Sequence, residues 1–123
     1  MIYTTYFSRV RNLPRNIVPI AICGKAPEWW KLWSGLQYKK LAPKYGFFSK
    51  WKETGDNMYY VRCFNEQVLS QLDAKSVVTE LLTLAGSSDL ALVCYEKPGE
   101  FCHRHLVAGW LREKGFDARE YYN

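Results

Sequence analysis

The feature that most restricts what this chain can fold into is the stretch Leu90 to Leu111, LALVCYEKPGEFCHRHLVAGWL. Leu90, Ala91, Leu92 and Val93 form an unbroken apolar run, which suits a strand buried on both faces, as in a parallel sheet covered by helices. Cys94 ends that run. Pro98 and Gly99 mark a sharp turn, and proline cannot sit in a central strand because it lacks the N–H a ladder needs. Leu106, Val107, Trp110 and Leu111 then share one face at helical spacing. Glu100 or a neighbour is placed to cap this helix and Gly115 to stop it. Arg112 and Lys114 fall in its last turn, where cations favour the helix dipole.

A strand, a turn and a helix in that order also say where a site belongs. In open α/β sheets ligands bind beyond the carboxyl ends of the strands. A helix N-terminus there offers free N–H groups and a partial positive charge, which suits an anion. The eleven residues from Cys94 to Arg104 hold most of the chain's side chains fit for chemistry. Cys102, in the expected first turn and near Arg104, should have a depressed thiol pKa. His103 can act as acid or base near neutral pH. Cys94 is a second sulfur for nucleophilic or ligand roles, Glu96 a base or hydrogen-bond acceptor, and Lys97 and Arg104 are anion contacts. Each has an ordinary structural explanation as well. Cys94 can be a small apolar residue at a strand end, His103 can pack locally, and Arg104 can pair with Glu96 or Glu100. Their concentration at one strand-to-helix edge favours a site.

The spacing Cys94-x-Glu96-Lys97, then Cys102-His103-Arg104, resembles the signature of the domain of unknown function 488 family. The opening Ile2-Tyr3-Thr4-Thr5-Tyr6-Phe7 is similar to that family's first strand, so the resemblance covers the whole chain as a short single domain. It implies an α/β fold, a cytoplasmic protein, and a site at Cys94, Glu96, Cys102, His103 and Arg104. It implies no established activity. Longer members typically carry an Asp-Val-Arg stretch after their second strand. Here Ile20-Ala21-Ile22-Cys23-Gly24-Lys25 stands instead, and no role of that Asp or Arg carries over.

The rest of the chain fits one domain, residues 1–123, with one core. A net charge of +5 favours acidic partners: phosphates, nucleotides or nucleic acid. Four cysteines without a secretory segment read as reduced thiols in a cytoplasm rather than as a disulfide framework, and a strand starting at residue 2 leaves no room for a targeting peptide. No apolar run approaches the roughly 20 residues of a membrane helix.

In chain order, Ile2 to Phe7 is expected to be the first strand, followed by a short basic connection from Ser8 to Pro14. Ile17 to Cys23 reads as a second strand, which Pro19 places at an edge. Gly24-Lys25 follows it without the rest of a phosphate-loop pattern, so a Walker-type NTPase is excluded, and Lys25 is left at the rim of the pocket. Lys25 to Lys52 carries seven lysines against one acid, interleaved with eight aromatic residues, as a short helix plus irregular segments placed to cover the strand edge. Such a mixture can track a phosphate backbone and stack bases. The more ordinary and favoured reading is aromatic core beneath lysine stems. Asn57 to Gln71 and a segment capped by Asp73 read as amphipathic helices, with Cys63 as packing, and Phe116 to Tyr122 as a last, edge strand. The expected fold is therefore a three-layer α/β sandwich around a mostly parallel four-stranded sheet, in the order 2-1-3-4, with helices on both faces.

Zinc is the one metal the motif suggests, held by Cys94, Cys102 and His103 with Cys23 or His105 as a fourth ligand. Against it, no C-x-x-C pair is present, and adjacent residues on a helix point about 100° apart; no metal ligand is assigned. Two functions follow. One is an enzyme or ligand-binding domain acting on a phosphorylated or nucleotide-like substrate at the Cys94–Arg104 edge. The other is a non-enzymatic nucleic-acid or nucleotide binder using residues 25–52.

Overall fold

The fold is taken from a computed structural model, which describes residues 1–97 and 99–122. Pro98, half of the expected turn, lies outside the described residues. Four strands, β1 (Ile2–Tyr6), β2 (Ile17–Ala21), β3 (Asp89–Cys94) and β4 (Ala118–Glu120), form one all-parallel sheet in the order β2-β3-β1-β4. The apolar run is its inner strand: Leu90 to Val93 are completely buried.

The expected order 2-1-3-4 is corrected at both edges. β1 and β3 are the inner pair, but β2 lies beside β3 rather than β1, and β4 beside β1 rather than β3. The β1–β2 connection explains the exchange. Its 3-10 helix, Phe7–Asn12, buries Phe7 and Val10 against Ala21 and Val93, so the chain passes over β3 before turning into β2. Strand periodicity alone carries no information about that crossing. Pro19 sits on the sheet's edge strand, where its missing N–H leaves no gap between two ladders.

Helices lie on both faces, unequally. One face packs on α2 (Tyr45–Thr54), α3 (Asn57–Gln67), α4 (Ala74–Leu84) and α5 (His103–Glu113), in a core containing Ile20, Leu90, Leu92, Phe64, Leu81 and Leu111. Among the described residues the other carries only the 3-10 helix and the short α1 (Trp30–Trp33), whose Trp30 is fully buried. The helix limits follow local chemistry. The Asp56 and Asp73 carboxylates accept from the N–H groups of Tyr59 and Ser76 and start α3 and α4. The segment expected to run on to Gln71 stops at Gln67 and tightens into a 3-10 turn, Leu69–Gln71. At the end of α5, Gly115 has φ +92°, its N–H reaches Arg112 O, and the Phe116 N–H reaches Leu111 O. That pair of bonds needs a left-handed residue, which glycine supplies at little cost.

Among the described residues no helix is long and apolar enough to cross a membrane.

Candidate functional site

The carboxyl end of β3 and the amino end of α5 meet as the sequence requires, and four expected site residues converge there. Cys102 is not inside the first turn of α5. It is the N-cap, in extended conformation (φ −152°, ψ 140°), and His103 is the first helical residue. This corrects the objection that Cys102 and His103 must diverge by a helical step. An extended residue followed by a helical one turns both side chains toward Cys94. The Cys94 and Cys102 sulfurs and a ring nitrogen of His103 lie within 4.8 Å of one another, all three residues being buried.

The imidazole is fixed by the strand end opposite. Its Nε2 lies 2.8 Å from the Ile22 carbonyl oxygen, and its Nδ1 lies 3.5 Å from Cys94 Sγ. A carbonyl can only accept, so Nε2 carries the proton and, in the neutral ring, Nδ1 offers a lone pair to the sulfurs. The Cys94 thiol also reaches Glu96 Oε2, 3.6 Å away. One S–H proton therefore has His103, Glu96 and Cys102 around it. The two thiols split in opposite directions. The hydrogen bond from Cys94, and the proximity of His103, draw the Cys102 pKa far below the ordinary thiol value. The same bond, together with burial, pushes Cys94 up. The direction of the split favours Cys102 as the thiolate of the pair and Cys94 as its donor. Burial, and the charge on Cys102, raise the Glu96 carboxyl.

Arg104 does not line the cavity, although its charge and a side-chain hydrogen bond bear on Cys102. Its guanidinium is fully buried and forks onto Glu120, with Nε to Oε1 and Nη2 to Oε2 both at 3.0 Å, while Nη1 donates to the Glu96 carbonyl at 2.6 Å. Thr4 Oγ1 donates to the same Glu120 carboxylate at 2.6 Å. Arg104 thereby ties α5 to β4 and holds the backbone carbonyl of Glu96. The expected partners Glu96 and Glu100 are replaced by Glu120, a residue of the last strand that nothing in local spacing connects to Arg104. Lys97 is exposed and stands apart from the cavity wall. His105 is largely exposed, and partial desolvation of its ring, followed by the Arg104 charge, lowers its pKa.

The cluster forms one wall of a cavity of about 770 Å³. Cys23, Gly24 and Lys25 from the end of β2 line it, with Tyr95, Glu96 and Phe101 from the β3–α5 connection. Tyr45, Phe48, Trp51 and Lys52 of α2 close the far side, and Tyr60 of α3 lies beneath. Phe101 packs between Trp51 and Tyr60, with ring centroids 5.6 and 5.0 Å away. A third thiol, Cys23, is pushed up to about 11 by burial and stays neutral near pH 7. Cys63 is buried in the main core, as packing.

The basic aromatic segment divides. Trp30, Tyr38 and Phe47 are core, Lys39 donates to the Gly24 carbonyl, and Lys40 pairs with Glu80. Tyr45, Phe48, Trp51, Lys25 and Lys52 face the cavity instead. The sequence places a cover here, but not which of its aromatic residues face inward, because the alternation within α2 is too irregular to read.

No curated protein and no solved structure matches the chain. A family model described as DUF488-N3a, the active DUF488-N3 subclade, matches residues 5–115, a span that runs from β1 to Gly115 and takes in the whole Cys94–Arg104 stretch. With nearly all of the fold and every cysteine of the site inside that match, the chain belongs to the DUF488 family.

Proposed function

We propose that this protein is an enzyme acting on a phosphorylated or nucleotide-like substrate at the Cys94–Arg104 edge, with Cys102 as the nucleophile. The observation that carries the reading is the placement of Cys94, Glu96, Cys102 and His103 together on the wall of an aromatic cavity. A cavity of this size and apolar lining suits a small molecule with a planar part. Lys25 and Lys52, at its rim, suit a phosphate. The description of the subclade as active supports reading these side chains as chemistry.

The roles follow from the geometry. Cys102 Sγ forms a bond to the electrophilic atom of the substrate while the bond to the leaving group breaks. Glu96, on the cavity wall beside Cys94 and with its pKa raised by burial and the Cys102 charge, is placed to give the leaving group a proton. Cys94 stabilises the thiolate before attack, and His103 Nδ1 is placed to take a proton from the water that then releases the covalent intermediate.

Binding of nucleoside phosphates and sugar phosphates, followed by calorimetry, tests the substrate class. The double charge reversal Lys25→Glu, Lys52→Glu is expected to weaken the tightest phosphorylated ligand by about tenfold or more, since each lysine contributes a charge-assisted contact. Equal affinity for the dephosphorylated analogue, or an unchanged affinity in the variant, would reject the phosphate reading. A non-enzymatic binder built on residues 25–52 would instead keep its function in Cys102→Ser and lose it on charge reversal at Lys39 and Lys40.

The same geometry supports a second reading, a zinc site. Zinc bonds of about 2.3 Å to sulfur and about 2.0 Å to nitrogen in a tetrahedron place those two ligand atoms about 3.5 Å apart. Cys94 Sγ and His103 Nδ1 are 3.5 Å apart. Cys94, Cys102 and His103 would hold the ion through soft ligands, and the Ile22 carbonyl would fix the histidine tautomer from behind.

A further inference from the structure

Beside the cavity a row of aromatic rings runs from Tyr95 through the buried Phe7 to the partly exposed Trp29 and Trp33. Tyr95, on the cavity wall, is half exposed, and its ring lies 4.7 Å from that of Phe7. Phe7 leads on to Trp29, 6.0 Å away, and Trp29 to Trp33, 6.2 Å away. Trp29 and Trp33 are 37 % and 46 % exposed, and the buried Trp30 beneath holds both rings in place. Such rings are costly to leave in water and are not needed for the core, which Trp30 already fills.

The charges beside the row are mostly positive, with the exposed Glu28 next to Trp29 the exception. The Arg11 guanidinium stands over the Trp29 ring at 5.8 Å, and Arg9 stands over Tyr6 at the same distance. Lys25 and Lys31 are exposed nearby in sequence, and Glu28 is the only acid between Lys25 and Lys52. Stacking rings interleaved with cations suit a single nucleic-acid strand, whose bases lie on the rings and whose phosphates meet the cations.

We propose that the substrate is a nucleotide within a single strand: the reacting residue enters the cavity and its neighbours stack on Trp29 and Trp33 alongside Arg11. This rests on the nucleotide-like substrate proposed above and narrows it to a polymer. The packing of Trp29 and Tyr95 against the same Phe7 ring places the tryptophans close to the cavity rather than on a remote patch.

The test compares a fluorescently labelled mixed-sequence single-stranded octanucleotide, as DNA and as RNA, with nucleoside 5′-monophosphates by anisotropy and competition. At least one octanucleotide is expected to bind about tenfold or more tighter than any monophosphate and to weaken steeply with salt. Trp33→Ala with Arg11→Ala is expected to remove about tenfold of the octanucleotide affinity and leave monophosphate affinity unchanged. Because both side chains are substantially exposed, circular dichroism should show the variant folded. Monophosphates binding as tightly as the octanucleotides, or octanucleotide affinity unaffected by the variant, would overturn the polymer proposal and leave the nucleotide reading standing. Binding of neither probe would overturn both. Self-association relieved by Trp33→Ala, with no octanucleotide binding, would show the row to be a protein contact and overturn the proposal.

Discussion

Replacing Arg104 by alanine should destabilise the fold by about 3–5 kcal/mol, the usual cost of removing one partner of a buried ion pair. Urea unfolding followed by fluorescence measures it. The guanidinium and the Glu120 carboxylate are 0 % and 5 % exposed, so truncation leaves a carboxylate buried without its counter-ion. Thr4 remains as a single donor to it, which does not replace a two-bonded fork. Arg104→Lys should recover only part of the loss, because an ammonium cannot form the fork. Arg104→Met combined with Glu120→Leu should cost far less than either change alone. That double variant separates stability from positioning: it should fold, yet lack the bond that holds the Glu96 carbonyl. If Arg104→Ala proves nearly neutral, the pair is not the tie between α5 and β4.

Trp30→Ala should cost a similar amount, about 3–5 kcal/mol, by the same measurement. The ring is completely buried, its indole N–H donates to the Leu36 carbonyl at 2.8 Å, and it is the largest side chain of the thin face of the sheet. Cys23, Cys94 and Cys102 belong to the same packed group. Loss of Trp30 should therefore also expose Cys23, seen as faster modification of a thiol that burial keeps neutral in the native protein. A stability loss without any change at Cys23 would mean that the two halves of this small core are independent.

What the sequence made legible follows from the range of the forces involved. Leu90–Val93 as an inner strand, the turn, α5 and its stop at Gly115 are all set by local composition, and they put Cys94, Glu96, Cys102 and His103 in one place. The Pro19 edge strand was legible for the same reason. The strand order was not, because it depends on Phe7 and Val10 crossing β3, a contact between distant segments. Nor was Glu120, 16 residues after Arg104 and on another element. The Ile22 carbonyl that fixes His103 is a backbone group, which no side-chain motif reveals. The conformation of Cys102 was misjudged as helical because the cap was expected nearer Glu100. One residue's shift of a helix start decides whether three ligand-type atoms converge or diverge.

The most direct test of the central claim is the alkylation rate of each cysteine by iodoacetamide between pH 5 and 9, resolved by peptide mass. A thiol below its pKa reacts about tenfold faster per pH unit, and a thiolate reacts at a rate independent of pH. The depressed pKa of Cys102 predicts a nearly flat profile from pH 6 upward at that residue, ahead of Cys23 and Cys94, which burial and hydrogen bonding keep protonated. A steep profile at Cys102 like that of an ordinary thiol would contradict the account. Protection of Cys94 and Cys102 together until a chelator is added would transfer the site to zinc.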